Sequence, residues 1–599
     1  MSEDPNPPGL EASGERTAPQ VNIDPASIEY QDSNQKAQFP PLGQVIIIVL
    51  AIYLAAFLVA LDQTIIGVAI PKITDRFKSI PDIAWYGSAY FLTSTALQPS
   101  YGRIYKILNV SLPTASQKFM LLKSSPCFCP PSKDPSDLSQ VKWSFLVAVG
   151  IFEIGSLICG VAPSSTVLII GRAIAGIGVA GIFSGALVII SMTVPLPKRP
   201  LVFGVYGVVW GVSSIVGPLL GGAFTDGQSW RWCFYINLPV GGISMVVVLL
   251  VLRLPSNNQH RKLSFSRIAQ ELDVIGASLL IPAVVCLILA LQWGGNAYAW
   301  GSSQIIGLFV GFGLFILLFA VSQIYISRQD EKVAPSKKST TATLPPSILK
   351  KRTIWSAGLF AFFFSGGFFL LVYYVPIYFQ SVRGSTAMTA GLQILPFMLA
   401  TVVSSIIVGA LVTAAGYYTP FLIGSTAIAA IGSGLITLYD VDISTAKWIG
   451  YQIVVGAGIG AGLQIPMTAV QTVLKPEDIP VGTAAVMFLQ TLGGAIFIAV
   501  GQSVFQNGLQ AGIYVYAPEV DPSVILNAGA TEMRHVLASL GQLDQLDGVI
   551  KAYMSGLRDT YRVSLALMLA AFVTTLFVEW KSVKKSDGPS NDDTTVVAP

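Results

Sequence analysis

The stretch "GVVWGVSSIVGPLLGG", residues 207–222, interrupts a long apolar run with five glycines and a proline. In water each such residue weakens a helix, by about 1 kcal/mol for glycine and about 3 kcal/mol for proline relative to alanine. In lipid the balance differs, because small residues let a neighbouring backbone approach closely. On a helix Gly207, Gly211, Ser214, Pro218 and Gly221 recur at steps of four, three, four and three, which keeps them on one face. Pro218 removes one backbone hydrogen bond and is expected to bend the helix. The stretch reads as a tight, bent helix–helix seam, although a static packing face of any polytopic protein would have the same spacing.

The rest of the chain has the composition that such a seam needs. Of 599 residues 53% are hydrophobic and 11% charged, against about 25% charged in soluble proteins. A crossing of a ~30 Å hydrocarbon core takes about 20 mostly apolar residues. Fourteen runs qualify: 43–66, 83–101, 143–161, 166–190, 202–224, 235–253, 272–293, 304–327, 354–379, 388–413, 417–438, 447–470, 481–505 and 561–580. They predict an all-α polytopic membrane protein with 14 transmembrane helices in a 6 + 2 + 6 order. The first six-helix domain covers 43–254, the extra pair 255–327, a basic loop 328–353, and the second six-helix domain 354–580. Within the second domain, 507–559 is a long segment expected to face outward and to contain a short amphipathic helix. Residues 1–42 are polar, proline-rich and acidic, and are expected to form a disordered tail; 581–599 form a second tail.

Lysine and arginine set the orientation. Arg103, Lys106 and Lys142 follow span 2, Lys198 and Arg199 follow span 4, and Arg253, Arg261, Lys262 and Arg267 follow span 6. The opposite loops of that half carry only Lys72, Arg76, Lys78 and Arg231. Both termini are therefore expected in the cytoplasm. Five cysteines and two histidines show no metal spacing. No phosphate-binding loop, dinucleotide fingerprint or nucleophile elbow occurs. The expectation is a protein that is not an enzyme, with no cofactor, no metal and no nucleic-acid partner.

A resemblance sharpens this. Gly217, Pro218, Gly221 and Gly222 match the GPxxGG core of the antiporter motif of the major facilitator superfamily, with Gly207 and Gly211 supplying the preceding small face. "LDQTIIGVAIP" (61–71) resembles the first-span signature of that superfamily's fourteen-span drug:proton antiporters. "GRAIAGIGVAG" (171–181) resembles the fourth-span motif, with Arg172 in the arginine position. "WRWCFYINLPVGG" (230–242) and "YYVPIYFQSVRG" (373–384) resemble the fungal toxin and multidrug efflux branch. The resemblance, over about 43–580, implies two six-helix domains rocking about a central site, two extra helices between them, and export of lipophilic compounds in exchange for protons. A monomer in the cell membrane is expected, with the vacuolar membrane as the alternative. A nutrient or siderophore symporter and a sensor without transport are the competing readings.

Charges inside the bilayer mark function by default. Asp62 in span 1 and Arg172 in span 4 fall at a similar level in the outer half of the membrane and are expected to share one charged network. A static ion pair that fixes helix register is the alternative. Glu153, near the middle of span 3, is a second candidate proton carrier, or else a packed acid bonded to a neighbour. Tyr373, Tyr374, Tyr378 and Gln380 are candidates to line a wall for a lipophilic ligand, or to face lipid. Gln464, in the small-residue stretch 456–466, could add one polar contact.

The loop between spans 2 and 3 fits poorly. Gly102 and Arg103 suit the family's loop motif, but Lys106 occupies its acidic position. Joining Asn109 to Val141 would restore the usual loop length. Residues 110–140 contain five prolines and two of the five cysteines. They read as a translated, unspliced intron, or else as a disordered cytoplasmic loop.

Overall fold

The computed structural model describes residues 41–77, 83–109, 140–252, 273–295, 298–333 and 342–584. The expected tails, apart from 41–42 and 581–584, and segment 110–139 therefore lie outside the described residues. The long helices are α1 (Leu42–Phe77), α2 (Ile83–Asn109), α3 (Gln140–Val161), α4 (Ser165–Thr193), α5 (Arg199–Gly227), α6 (Asn237–Val251), α7 (Val274–Trp293), α8 (Ser303–Val333), α9 (Arg352–Ile377), α10 (Leu395–Ala415), α11 (Thr419–Ile436), α12 (Thr445–Gly462), α13 (Ile479–Tyr516) and α14 (Leu546–Thr575). A helix satisfies its own backbone, which is why apolar runs in lipid adopt it.

Among the described residues, twelve helices are long and apolar enough to cross a membrane. The other two expected runs fall on α2 and α14, for different reasons. α2 carries Ser88, Ser94, Gln98, Arg103 and Lys106 on a buried helix. The first half of α14 carries Asp547, Lys551, Arg558, Asp559 and Arg562, so that only its second half is apolar. Both are packed in the bundle, α2 against α4 and α13, and α14 against α9, α11 and α13.

Several boundaries differ from expectation because helical hydrogen bonding continues past the apolar stretch. α1 runs on to Phe77. α13 has 38 residues, about 57 Å at 1.5 Å per residue, far more than a hydrocarbon core requires. The segment 507–559 is mostly ordered helix: the end of α13, the helix Pro522–Ser539 and the start of α14. Asp521 caps that middle helix by accepting from the backbone N–H and hydroxyl of Ser523 (2.9 and 2.8 Å), which holds its carboxyl below the ordinary range. The basic loop 328–353 is likewise more structured than a loop. α8 covers it as far as Val333, and Ala342, Thr343 and Leu344 are buried. Asp273 holds this return, accepting from Gln323 Nε2 on α8 (2.5 Å) and from the N–H groups of Thr343 (3.0 Å) and Gly276 (2.6 Å).

One apolar core lies within α9–α14; another, built largely from α1–α6, extends across to Ile354, Ala357 and Ala361 of α9 and to Met467, Val470 and Leu474. The halves meet along two lines. α5 lies against α10, where a Cβ on Gly204 would stand 2.5 Å from the Ser405 carbonyl oxygen, one on Gly207 2.6 Å from Ser405 Oγ, and one on Gly409 2.6 Å from the Pro200 carbonyl oxygen. Gly211 abuts Val402 of α10. The single seam expected for 207–222 is in fact split. Gly217 faces Thr64 of α1, and Gly222 has open space at its Cβ position. The cause is helical phase: ten residues at about 100° each turn Gly217 roughly 80° away from Gly207. α5 stays helical through position 218; the side chain of Pro218 lies outside the description.

α2 lies against α13 at the second line. Gly102 abuts Ala484, and Lys106 Nζ pairs with Asp478 Oδ1 at 2.8 Å. Arg199 Nη1 donates to Gln471 Oε1 (3.1 Å), again between halves. Lys106 in the motif's acidic position thus has its acid on the opposing half. These contacts close the end of the bundle that carries the excess of basic loops.

Two outcomes test this packing. Gly204→Ala should destabilise the purified protein by about 1–3 kcal/mol through overpacking, whereas Gly222→Ala should leave the unfolding midpoint unchanged or slightly raised. A double-mutant cycle on Lys106→Glu and Asp478→Lys should show both single reversals destabilising and the double reversal recovering about 0.5–1 kcal/mol; additive losses would mean that the pair does not join the halves.

Candidate functional site

Between the halves lies a cavity of about 400 Å³. α1, α2, α4 and α5 line it from one half, and α9, α10, α13, the residues Leu463 and Gln464 that follow α12, and Met467 from the other, with Ile288, Leu291 and Gln292 of α7 added. It ends where α5 meets α10 and α2 meets α13, on the residues that close that end. Phe91, Phe183, Tyr206, Trp210, Phe368, Phe369 and Tyr373 make its wall aromatic. Phe183 and Trp210 are stacked at 5.9 Å. The polar lining comes from serines, threonines and glutamines, and no described lining residue is acidic, basic or histidine. Gln98 Oε1 accepts from Thr491 Oγ1 across the halves (3.2 Å).

The charges lie immediately behind this wall. Arg172 Nη1 and Asp62 Oδ2 are 2.5 Å apart, each side chain about 1% exposed. Arg172 Nε donates to the Tyr86 carbonyl (2.8 Å), and its guanidinium lies 4.2 Å from the centre of the Tyr90 ring. Asn237 Nδ2 donates to Asp62 Oδ1 (3.3 Å) and to Ser156 Oγ (3.1 Å), so α6 and α3 join the network. Such a pair needs these additional bonds, because desolvation of two ions offsets most of their attraction. The network touches the cavity through chain neighbours: Gln63 follows Asp62 and Gly87 follows Tyr86, and both line the wall.

The remaining sequence candidates divide clearly. Tyr373 and Gln464 line the cavity, whereas Tyr374, Tyr378 and Gln380 do not. Successive helical residues point about 100° apart. Tyr374 therefore turns from the cavity to Phe505, 5.6 Å away, and its carbonyl accepts from Tyr561 (3.0 Å). Tyr378 and Phe379 lie in the π-helical turn Tyr378–Val382, beyond Pro376, and pack on Tyr439 and Trp448 at 4.8 and 5.0 Å. Gly102, Arg103 and Lys106 belong to the closed end rather than to the cavity. Glu153 makes no hydrogen bond to the Asp62 network, although it lies one turn from Ser156 on α3: its carboxyl faces Gly241, one turn from Asn237 on α6, and both oxygens are shielded and without a hydrogen-bond partner.

Asn237, Trp210 and the glutamines other than Gln464 are the residues that sequence reading missed. The first two lay inside quoted motifs, and an amide or indole within an apolar run was the available signal. Among the described residues no cluster of three or more His, Cys, Asp or Glu has the geometry of a metal site.

With this geometry in view, comparison with known proteins is consistent across sequence and fold. A model of the Major Facilitator Superfamily matches residues 136–302 and 274–498. The chain is 46% identical over 538 residues to the MFS-type efflux pump MFS1 of Arthroderma benhamiae, covering 90% of this chain and 92% of that protein. It is 42% identical over 549 residues to efflux pump roqT of Penicillium rubens, covering 92% and 93%. The crystal structure of the human organic anion transporter MFSD10 (TETRAN) matches in fold, with a TM-score of 0.54 at 12% identity over 90% of this chain and 100% of that one. Two helical halves around a central cavity, a family model over most of the helical region and relatives of this similarity lead to one conclusion: the chain is a multi-pass membrane protein of the major facilitator superfamily, a family of transporters.

Proposed function

We propose that this chain is a proton-coupled efflux transporter that exports lipophilic small molecules by alternating access. Two relatives in the same family are named efflux pumps, and the cavity is of the size and apolar character that drug-sized ligands fill. The observation that carries the coupling is the Asp62–Arg172 pair, at 2.5 Å and one residue behind the cavity wall. A proton delivered to Asp62 cancels its charge, frees Arg172 toward the Tyr86 carbonyl and the Tyr90 ring, and loosens the Asn237 bond. Four helices that meet at this point, α1, α2, α4 and α6, then lose their common tie. Three of them, α1, α2 and α4, carry cavity residues, so substrate and proton act on the same wall. Entry of one proton down 100 mV releases about 2.3 kcal/mol, enough with a pH gradient to drive uphill export. Glu153 is the second candidate carrier, reached through α3 and α6 rather than through the cavity.

On this reading α2 and α14 also span the membrane, giving fourteen crossings of a monomer in the cell membrane. The halves are 43–254 and 354–580, the pair in 255–327 lies between them, and both termini are cytoplasmic. The closed end at Lys106–Asp478 is then the cytoplasmic end.

The test is flux of a lipophilic dye in proteoliposomes with an imposed pH gradient. Asp62→Asn alone leaves Arg172 buried and unpaired, at a cost of about 3–5 kcal/mol, so it is compared with Asp62→Asn/Arg172→Gln, which removes both charges. The double variant should recover most of the lost stability and still show at least tenfold slower pH-driven export. Full export by a stable double variant would reduce the pair to a register device. Co-transport of dye and proton in one direction would identify a symporter, and absence of flux a sensor. Glu153→Gln should retain export if Asp62 is the carrier, read in the same assay.

A further inference from the structure

We infer that the central cavity selects uncharged, oxygen-rich aromatic compounds and rejects organic ions of either sign; the inference rests on the transport reading for its biological role but concerns binding alone.

Three observations converge. First, the lining holds no ionisable side chain other than tyrosine among the described residues, yet six glutamines, Gln63, Gln98, Gln292, Gln464, Gln490 and Gln502, face it. Each carboxamide offers one acceptor oxygen and two donor hydrogens. Such a set can pair with carbonyls and with hydroxyls, and a ligand can satisfy different members in different poses. Second, the nearest charges neutralise each other. Asp62 and Arg172 are paired at 2.5 Å and each about 1% exposed, so the wall presents no net charge to a bound ion. An ion leaving water for this site gives up its hydration without a counter-ion, a cost of several kcal/mol, whereas a neutral carbonyl exchanges water for an amide at little loss. Third, the stacked Phe183–Trp210 pair, with Phe368 opposite in the other half, supplies flat apolar surface. A planar ring system bearing carbonyl and hydroxyl groups uses all three features.

The glutamines come from both halves and from the extra pair. Gln63 and Gln98 belong to α1 and α2, Gln490 and Gln502 to α13, Gln464 follows α12, and Gln292 lies on α7. Selection is thus shared by the rocking halves and by α7, which a spacer would not contribute.

Binding to the purified full-length protein in detergent at pH 6 tests this, read as quenching of tryptophan fluorescence and as the shift of the unfolding midpoint. The probes are 1,8-dihydroxyanthraquinone, which is neutral there, tetraphenylphosphonium as a cation, and anthraquinone-2-sulfonate as an anion on a similar ring system. The neutral compound should bind at least tenfold more tightly than either ion. Gln490→Glu, which places a carboxylate on the wall, should narrow or reverse the gap for tetraphenylphosphonium and widen it for the sulfonate. Either ion binding as tightly as the neutral probe, no binding of the neutral probe, or Gln490→Glu leaving both gaps at their original size would overturn the inference. Failure of the transport reading has a different signature: the neutral probe binds in the expected order, but no gradient moves it across proteoliposomes.

Discussion

Backbone-to-backbone contact between α5 and α10 is the constraint on which the architecture depends. Lipid supplies no hydrophobic drive to press two helices together, so association rests on close packing and on hydrogen bonds that replace none. Gly204, Gly207 and Gly409 provide the approach, and Ser405 Oγ donates to the Gly204 carbonyl at 3.0 Å within it. A side chain at Gly204 or Gly409 would stand where the opposing backbone already is, and one at Gly207 would meet the Ser405 side chain. The contact runs along α5 from Pro200 to Gly211 and on to the helix Ala387–Gln393, and Gly207, Gly211, Thr401 and Ser405 of this seam also line the cavity. Glycines elsewhere on α5 serve another purpose, holding α1 in place inside one half.

Two electrostatic regimes lie one residue apart. Behind the wall, full charges are held in place by an amide, a carbonyl and an aromatic face. On the wall, only dipoles are present. The two regimes share their helices: α1 carries both Asp62 and Gln63, and α2 carries both Tyr86, whose carbonyl binds Arg172, and Gly87. Glu153 has neither arrangement, being screened from water and unbonded.

Most of the architecture was legible because membrane helices are long, apolar and bounded by basic loops. The runs on 143–161 and 166–190 fall inside α3 and α4. α2 and α14 were read as apolar spans like the others, although one carries the polar residues that line the cavity and the other is charged along its first part. The pairing of Asp62 with Arg172 followed from depth, because two antiparallel helices put residues at matched levels. Facing direction was harder. The motif residue Gly217 came without a neighbour, and Tyr374 and Tyr378 were candidates for the cavity or for a lipid-facing surface, because spacing fixes a helix face but not what that face meets. Asn237 and the glutamines other than Gln464 carried no periodic signal; only a fold that brings α1, α2, α7, α13 and the end of α12 together makes them a set. The buried strap at Ala342–Leu344 was invisible for a similar reason, its anchor Asp273 lying about 70 residues away in sequence.

That strap bears on how the molecule can move. α7 touches α2 in the first half and α13 in the second, while Asp273 and Gln323 bind α7, α8 and the Thr343–Leu344 turn into one piece. A rigid body resting on two others whose mutual tilt changes must slide over at least one of them. The pair behaves as the follower in a cam, its surface against α2 and α13 built from Leu280, Val284 and Ile288, smooth aliphatic groups without polar teeth. Greasy contact of that kind is strong normal to the surface and weak along it, so the pair stays seated while the two flanks shear beneath.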